Sequence, residues 1–129
     1  MPVEKKVLAV MTDLFFSVKI NDIAKKLGMS VEFVKDKETV LEKVKLKPAV
    51  VIFDLNYDAA DPVGTIRQIK SDPATKRVST IGFVAHVQTD LKMAAQESGC
   101  DMVVARSVFA TNLPTILKRH ATIEVANRN

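Results

Sequence analysis

Three charged residues stand where apolar runs end. Asp13 comes two residues after the run 7–11, Asp54 directly follows the run 49–53, and Arg106 directly follows Met102–Ala105. An aspartate in such a place can cap the following loop or sit in an acidic pocket, and a guanidinium beside it favours its charged form. Arg106 is therefore expected to pair with Asp54 and lower its pKa. His86 follows another apolar run, 80–85, and titrates in the range useful for a general base. No serine or cysteine is placed to act with it, so nucleophilic catalysis is not expected. His86 and His120 fall on different elements and share no metal spacing. Cys100, beside Gly99, reads as a small buried residue. As the single cysteine it forms no internal bridge, which suits a reducing cytoplasm. The glycines (Gly28, Gly64, Gly82 and Gly99) are dispersed, and neither a dinucleotide fingerprint nor a P-loop can be built from them.

Charged residues so far apart act together only if the fold gathers them. Apolar runs of strand length alternate along the chain with segments of helical period. Residues 6–12 and 49–53 are continuous apolar runs, as expected of strands buried on both faces. Further strands are expected over 30–34, 80–85 and Met102–Ala105. Helices are expected over 14–27, 37–45, 63–69, 90–98 and 111–120. In the first, Phe16, Ile20, Ile23, Ala24 and Leu27 share one face, and Gly28 takes the left-handed position after the helix. Phe15 and Val18 fall off that face and mark a candidate partner surface. Pro114 is expected in the first turn of the last helix, where a missing N–H costs little. The alternation predicts a parallel sheet with right-handed crossovers and helices on both faces. Sites in such sheets lie at the carboxyl ends of the strands. In this chain those ends are Met11, Thr12 and Asp13, then Asp54, then Val84, Ala85 and His86, then Arg106.

Composition bounds the function classes. The chain has 129 residues, of which 47% are hydrophobic and 26% charged, enough for one globular domain with its own core. The run 7–11 is too short for a signal core or a membrane span. Lys and Arg number 19 against 15 Asp and Glu, a net charge of +4. The lysines are scattered, at 5–6, 25–26, 43, 45 and 47 among others. There is no Trp, and no aromatic residue interleaves the basic runs as base stacking would require. The charge reads as solvated helix faces, and neither nucleic acid nor membrane is an expected partner.

The spacing of these residues resembles the receiver domain of two-component response regulators, over about residues 6–120. Receivers carry an acceptor Asp at the end of the third strand, a Ser or Thr about thirty residues on and a Lys about fifty-two on. From Asp54 those offsets fall on Val84 and Arg106. Asp54-Leu55-Asn56 looks like the pattern after the acceptor. Gly99-Cys100-Asp101 and Ala105-Arg106-Ser107-Val108-Phe109 stand where receivers show a Gly-Ala-Asp turn and a Lys-Pro-Phe ending. The resemblance implies an α/β, flavodoxin-like, doubly wound sheet of five parallel strands in order 2-1-3-4-5. It implies phosphoryl transfer to Asp54 from a histidine kinase, assisted by Mg²⁺ on oxygen ligands.

The departures fall on the parts that carry this chemistry. The two acidic metal-binding positions fall on Met11 and Thr12, with Asp13 just outside. Val84 has no hydroxyl, Val103 stands where a switch aromatic is common, and Arg106 replaces the ammonium. The expectation is a stand-alone pseudo-receiver (residues 1–121, with a polar tail over 122–129) acting through protein–protein contacts. Its phosphorylation at Asp54 is expected to be weak or absent. The pocket residues are Thr12, Asp13, Asn56, Val84, His86 and Arg106. No cofactor is expected, and Asp13, Asp54 and Asn56 are the ligands if Mg²⁺ binds. The expected partners are a histidine kinase or an output protein. By analogy the last helices and fifth strand form the association face, which leaves a homodimer open. A small-ligand or nucleotide-binding flavodoxin-like domain is the alternative, against which the missing Gly-rich loop counts.

Overall fold

A computed structural model describes residues 5–85 and 88–121. His86 and the tail 122–129 lie outside the described residues. Five parallel strands, β1 (Lys5–Val10), β2 (Met29–Val34), β3 (Val50–Asp54), β4 (Thr80–Val84) and β5 (Met102–Ala105), form one sheet in the order 2-1-3-4-5. Helices α1 (Leu14–Lys26), α2 (Lys37–Lys43), α3 (Pro62–Ser71), α4 (Thr89–Glu97) and α5 (Arg106–Ala121) connect and follow them. The parallel sheet is the one that the alternation predicts, and its order is the flavodoxin-like one that the resemblance implies.

The two faces of the sheet are set by strand alternation. Val7, Ala9, Ile52, Ile81 and Phe83 point to one side and pack with Phe16, Ile20, Leu113 and Leu117 of α1 and α5. Leu8, Val10, Val51 and Phe53 point to the other and pack with Val40, Ile66, Ile69 and Ala95 of α2, α3 and α4. Both faces are covered, so β1 and β3 read as unbroken apolar runs.

Helix starts are cut by aspartates. Asp13, Asp36 and Asp61 each accept a hydrogen bond from a backbone N–H in the first turn of α1, α2 and α3 respectively. Gly28 has φ +76°, the left-handed value expected after α1. Gly82 has another reason for being glycine: a Cβ there would come within 2.8 Å of the Leu55 side chain. Leu55 is thereby seated over β4, which fixes the loop leaving Asp54.

The last helix departs from expectation. It starts at Arg106 rather than 111, so Pro114 lies inside α5 and not in its first turn. An interior proline costs roughly 3 kcal/mol. Phe109, Leu113, Ile116 and Leu117 are buried on the same helix, and each contributes roughly 2 kcal/mol by burial. Packing therefore outweighs the proline and extends the helix back to the end of β5.

At the opposite, amino-terminal ends of β4 and β5 lies a closed polar cluster that the sequence reading treats only as a turn. Lys70 Nζ donates to Asp101 Oδ2 at 2.7 Å and to the carbonyls of Val78 at 2.7 Å and Lys76 at 3.1 Å. The N–H and hydroxyl of Thr80 donate to the same carboxylate oxygen at 2.8 and 3.0 Å. All three ammonium protons are used, and the cluster ties the end of α3 to two strands.

Candidate functional site

Strand register brings the separate charged residues together. Val10 pairs with Phe53, Asp54 with Phe83, and Val84 with Ala105. Met11, Asp54, Val84 and Arg106 thus line the carboxyl-terminal edge of the sheet, as expected from the sequence. Asp54 is half-buried there. Its Oδ1 accepts from the Asn56 N–H at 3.0 Å. Burial pushes its carboxyl above the usual aspartate range, and the Asn56 N–H and the Arg106 charge offset this only in part.

Arg106 does not make the expected ion pair with Asp54. Its guanidinium hydrogen-bonds Asp13 instead, and lies 4.5 Å over the ring centre of Phe16. Phe16 packs in turn against Phe83 and Phe109, with ring centres 5.2 and 5.9 Å away. The cation is therefore held from two sides, by a carboxylate and by an aromatic face. Asp13 accepts from the Phe16 N–H at 3.0 Å as the cap of α1. That N–H, together with Arg106 and against the effect of burial, holds the Asp13 carboxyl below the usual range. The expected lowering falls on Asp13 because Asp13, at the start of α1, lies nearer the guanidinium.

Asn56 is a staple more than a ligand. Its Oδ1 accepts from the Ala85 N–H at 2.8 Å, and its Nδ2 donates to Gln88 Oε1 at 2.6 Å. The hydroxyl of Tyr57 donates to the Lys35 carbonyl at 2.9 Å, tying the same loop to the other side. Thr12 is exposed, whereas Met11 and Val84 are 1% and 2% exposed and belong to the core. Val103 is half-buried against the α2–α4 layer, and no aromatic stands there to swing. Cys100 is buried, and burial pushes its thiol up, away from the reactive thiolate.

Mg²⁺ wants several oxygen ligands. Here Asp13 is committed to Arg106 and the α1 cap, the Asn56 oxygen to Ala85, and Met11 offers a buried sulfur. Among the described residues no three His, Cys, Asp or Glu side chains converge as ligands. The free oxygens at Asp13, Asp54 and Asn56 are too few to fit the ion well.

Beside the site, α1 exposes more apolar surface than expected. Leu14, Phe15 and Val18 are 81%, 75% and 63% exposed. The exposure of Phe15 and Val18 follows from helical phase. Leu14 joins them because Asp13 caps the helix just before it. No helix among the described residues is long and apolar enough to cross a membrane.

The fold so built is that of response-regulator receivers. Its fold matches a response regulator from Hahella chejuensis at 20% identity and a TM-score of 0.82, covering 93% of this chain and 97% of that one. It matches a putative response regulator from Chloroflexus aurantiacus at 18% identity and 0.78, covering 93% and 99%. A chemotaxis response regulator of Vibrio cholerae matches at 18% identity and 0.76, covering 92% and 99%. No family model and no curated protein matches the sequence.

Proposed function

We propose that this chain is a receiver-like signalling module of a two-component or phosphorelay system, acting through protein–protein contacts with little or no phosphorylation of Asp54. The carrying observation is the state of the pocket around that residue. Arg106, the cation at the end of β5, is engaged by Asp13, and the positions flanking Asp54 are the buried Met11 and Val84. Phosphoryl transfer is catalysed by positioning and charge neutralisation. A pocket with few free oxygen ligands among its described residues, with valine at position 84 and with the Arg106 cation engaged, supplies little of either.

The partner in this reading is a histidine kinase or an output protein in the cytoplasm. The exposed Leu14, Phe15 and Val18 support contact near the site, as a compact apolar patch on an otherwise polar helix surface. β5, one of the two edge strands, is half-buried along its length and supports a second contact, with a copy of the chain or an output protein. The test is incubation with acetyl phosphate and Mg²⁺ followed by intact-mass measurement. The unmodified chain is expected. A stoichiometric phosphoryl adduct lost in Asp54→Asn would overturn the unphosphorylated reading while leaving the fold untouched.

A further inference from the structure

The lysines that are scattered in sequence are gathered in space. A parallel sheet puts every strand start and every preceding helix end at one pole. Lys25, Lys26 and Lys70 lie in last turns there, where they complement helix dipoles. Lys47, Lys76 and Arg77 have no such reason, because they lie on the loops leading into β3 and β4. All three are exposed, and among the described residues none makes an ion pair.

Two of them, Lys47 and Arg77, line one open groove of about 350 Å³. Its remaining lining is mostly apolar: Pro48 and Ala49 on one side, Pro73, Ala74 and Val78 on the other, with Ser79. The walls are tied down. Ala49 N–H donates to the Lys6 carbonyl at 2.9 Å, and Val51 N–H to the Ser79 carbonyl at 2.9 Å. The buried Thr75 hydroxyl reaches the Ile69 carbonyl at 2.8 Å, and Lys70 holds the carbonyls of Lys76 and Val78. A groove built on fixed backbone loses little freedom when it is filled.

Lys47 also carries backbone strain. Its φ of +57° is left-handed, a region that favours glycine or asparagine. The other such residue among those described, Asp61, has a structural return: it caps α3 and pairs with Lys37 at 2.9 Å. At Lys47 the left-handed backbone ends the helical turn after α2, its N–H donating to the Val44 carbonyl at 3.0 Å, and it presents an exposed side chain beside Leu46, itself 81% exposed.

We propose that this groove binds an acidic segment of another protein that carries aliphatic side chains. The cations match the acids, and the Pro, Ala and Val lining matches the aliphatic groups. A phosphate backbone would leave that lining unused, and no aromatic residue is present for bases to stack on.

The test uses the whole chain and four probes: a short peptide of glutamates interrupted by leucines, an all-glutamate peptide, duplex DNA, and phosphatidylserine vesicles. Affinity is measured at two salt concentrations, with backbone amide shifts to place each contact. The expected result is that the glutamate–leucine peptide binds best and shifts amides at 45–49 and 73–79. Lys47→Glu with Arg77→Glu should weaken it about tenfold or more, as loss of two rim charges predicts. Lys47→Gly separates strain from function: it should raise the melting temperature yet weaken peptide binding. Absence of peptide binding, shifts away from the groove, or unchanged affinity in both variants would overturn the proposal. Tighter binding of DNA or vesicles at the groove would also overturn it, assigning the surface to that other class.

Discussion

Asp54 and Asp101 sit at opposite poles of the same sheet and show what makes a strand-end carboxylate structural. Burial raises the pKa of both. At Asp101 that push is outweighed by Lys70 and by the N–H and hydroxyl of Thr80, so the carboxyl ends below the usual range. At Asp54 the opposing groups are one N–H and a guanidinium given to another residue, so it ends above. The first carboxylate has one oxygen, Oδ2, that accepts three hydrogen bonds and ties the end of α3 to the starts of β4 and β5. The second, among the described residues, accepts only the Asn56 N–H.

The largest effect that this comparison predicts is at the closed cluster. Asp101→Ala strands the Lys70 ammonium and the Thr80 N–H, and should cost about 2 kcal/mol in urea unfolding. Its stabilising contribution is present above the unfolded aspartate pKa and lost as pH falls below it, because the folded pKa is lowered. A variant as stable as the parent would erase the distinction between the poles.

Arg106→Ala comes next. It removes the Asp13 contact and the guanidinium over Phe16, a loss of about 1–2 kcal/mol for a partly exposed pair with a cation–π contact. It should also move the Asp54 carboxyl resonance to titrate at higher pH, since the Arg106 charge is one of the groups opposing burial. An unmoved titration would show that Arg106 has no field at Asp54.

Asp54→Asn should have a smaller effect of opposite sign, a slight stabilisation at pH 7. With the folded pKa raised, the folded state holds the proton longer than the unfolded one, so stability falls as pH rises through that window. The gain of the variant over the parent should therefore shrink towards pH 4. A gain that grew on acidification would mean that Asp54 is stabilised as an anion after all. The smallest effect belongs to Phe15→Ser, which should leave stability within about 0.5 kcal/mol because the ring is exposed.

The parallel sheet and the gathering at its carboxyl edge were legible because they follow from periodicity and from where apolar runs stop, whereas the strand order came only from the resemblance to receivers. Phe16 on the core face and Phe15 and Val18 off it follow from helical phase alone. The pairing of Asp13 with Arg106 was not legible, since 93 residues separate them and the choice between two nearby aspartates depends on side-chain reach. Lys70, Thr80 and Asp101 were missed for the same reason, each looking like an ordinary surface or turn residue. The start of α5 was misread because Pro114 is a local signal, whereas the burial that overrides it is tertiary. The basic groove was hidden because its lysines cluster only when the chain folds.

The central claim, that Asp54 stands in a receiver framework without receiver chemistry, is tested most directly by titrating beryllofluoride with Mg²⁺ and following backbone amides. The account predicts no saturable shifts at Asp54, Asn56, Ala85 or Arg106. Saturable, Mg²⁺-dependent shifts centred on Asp54 and absent in Asp54→Asn would contradict it.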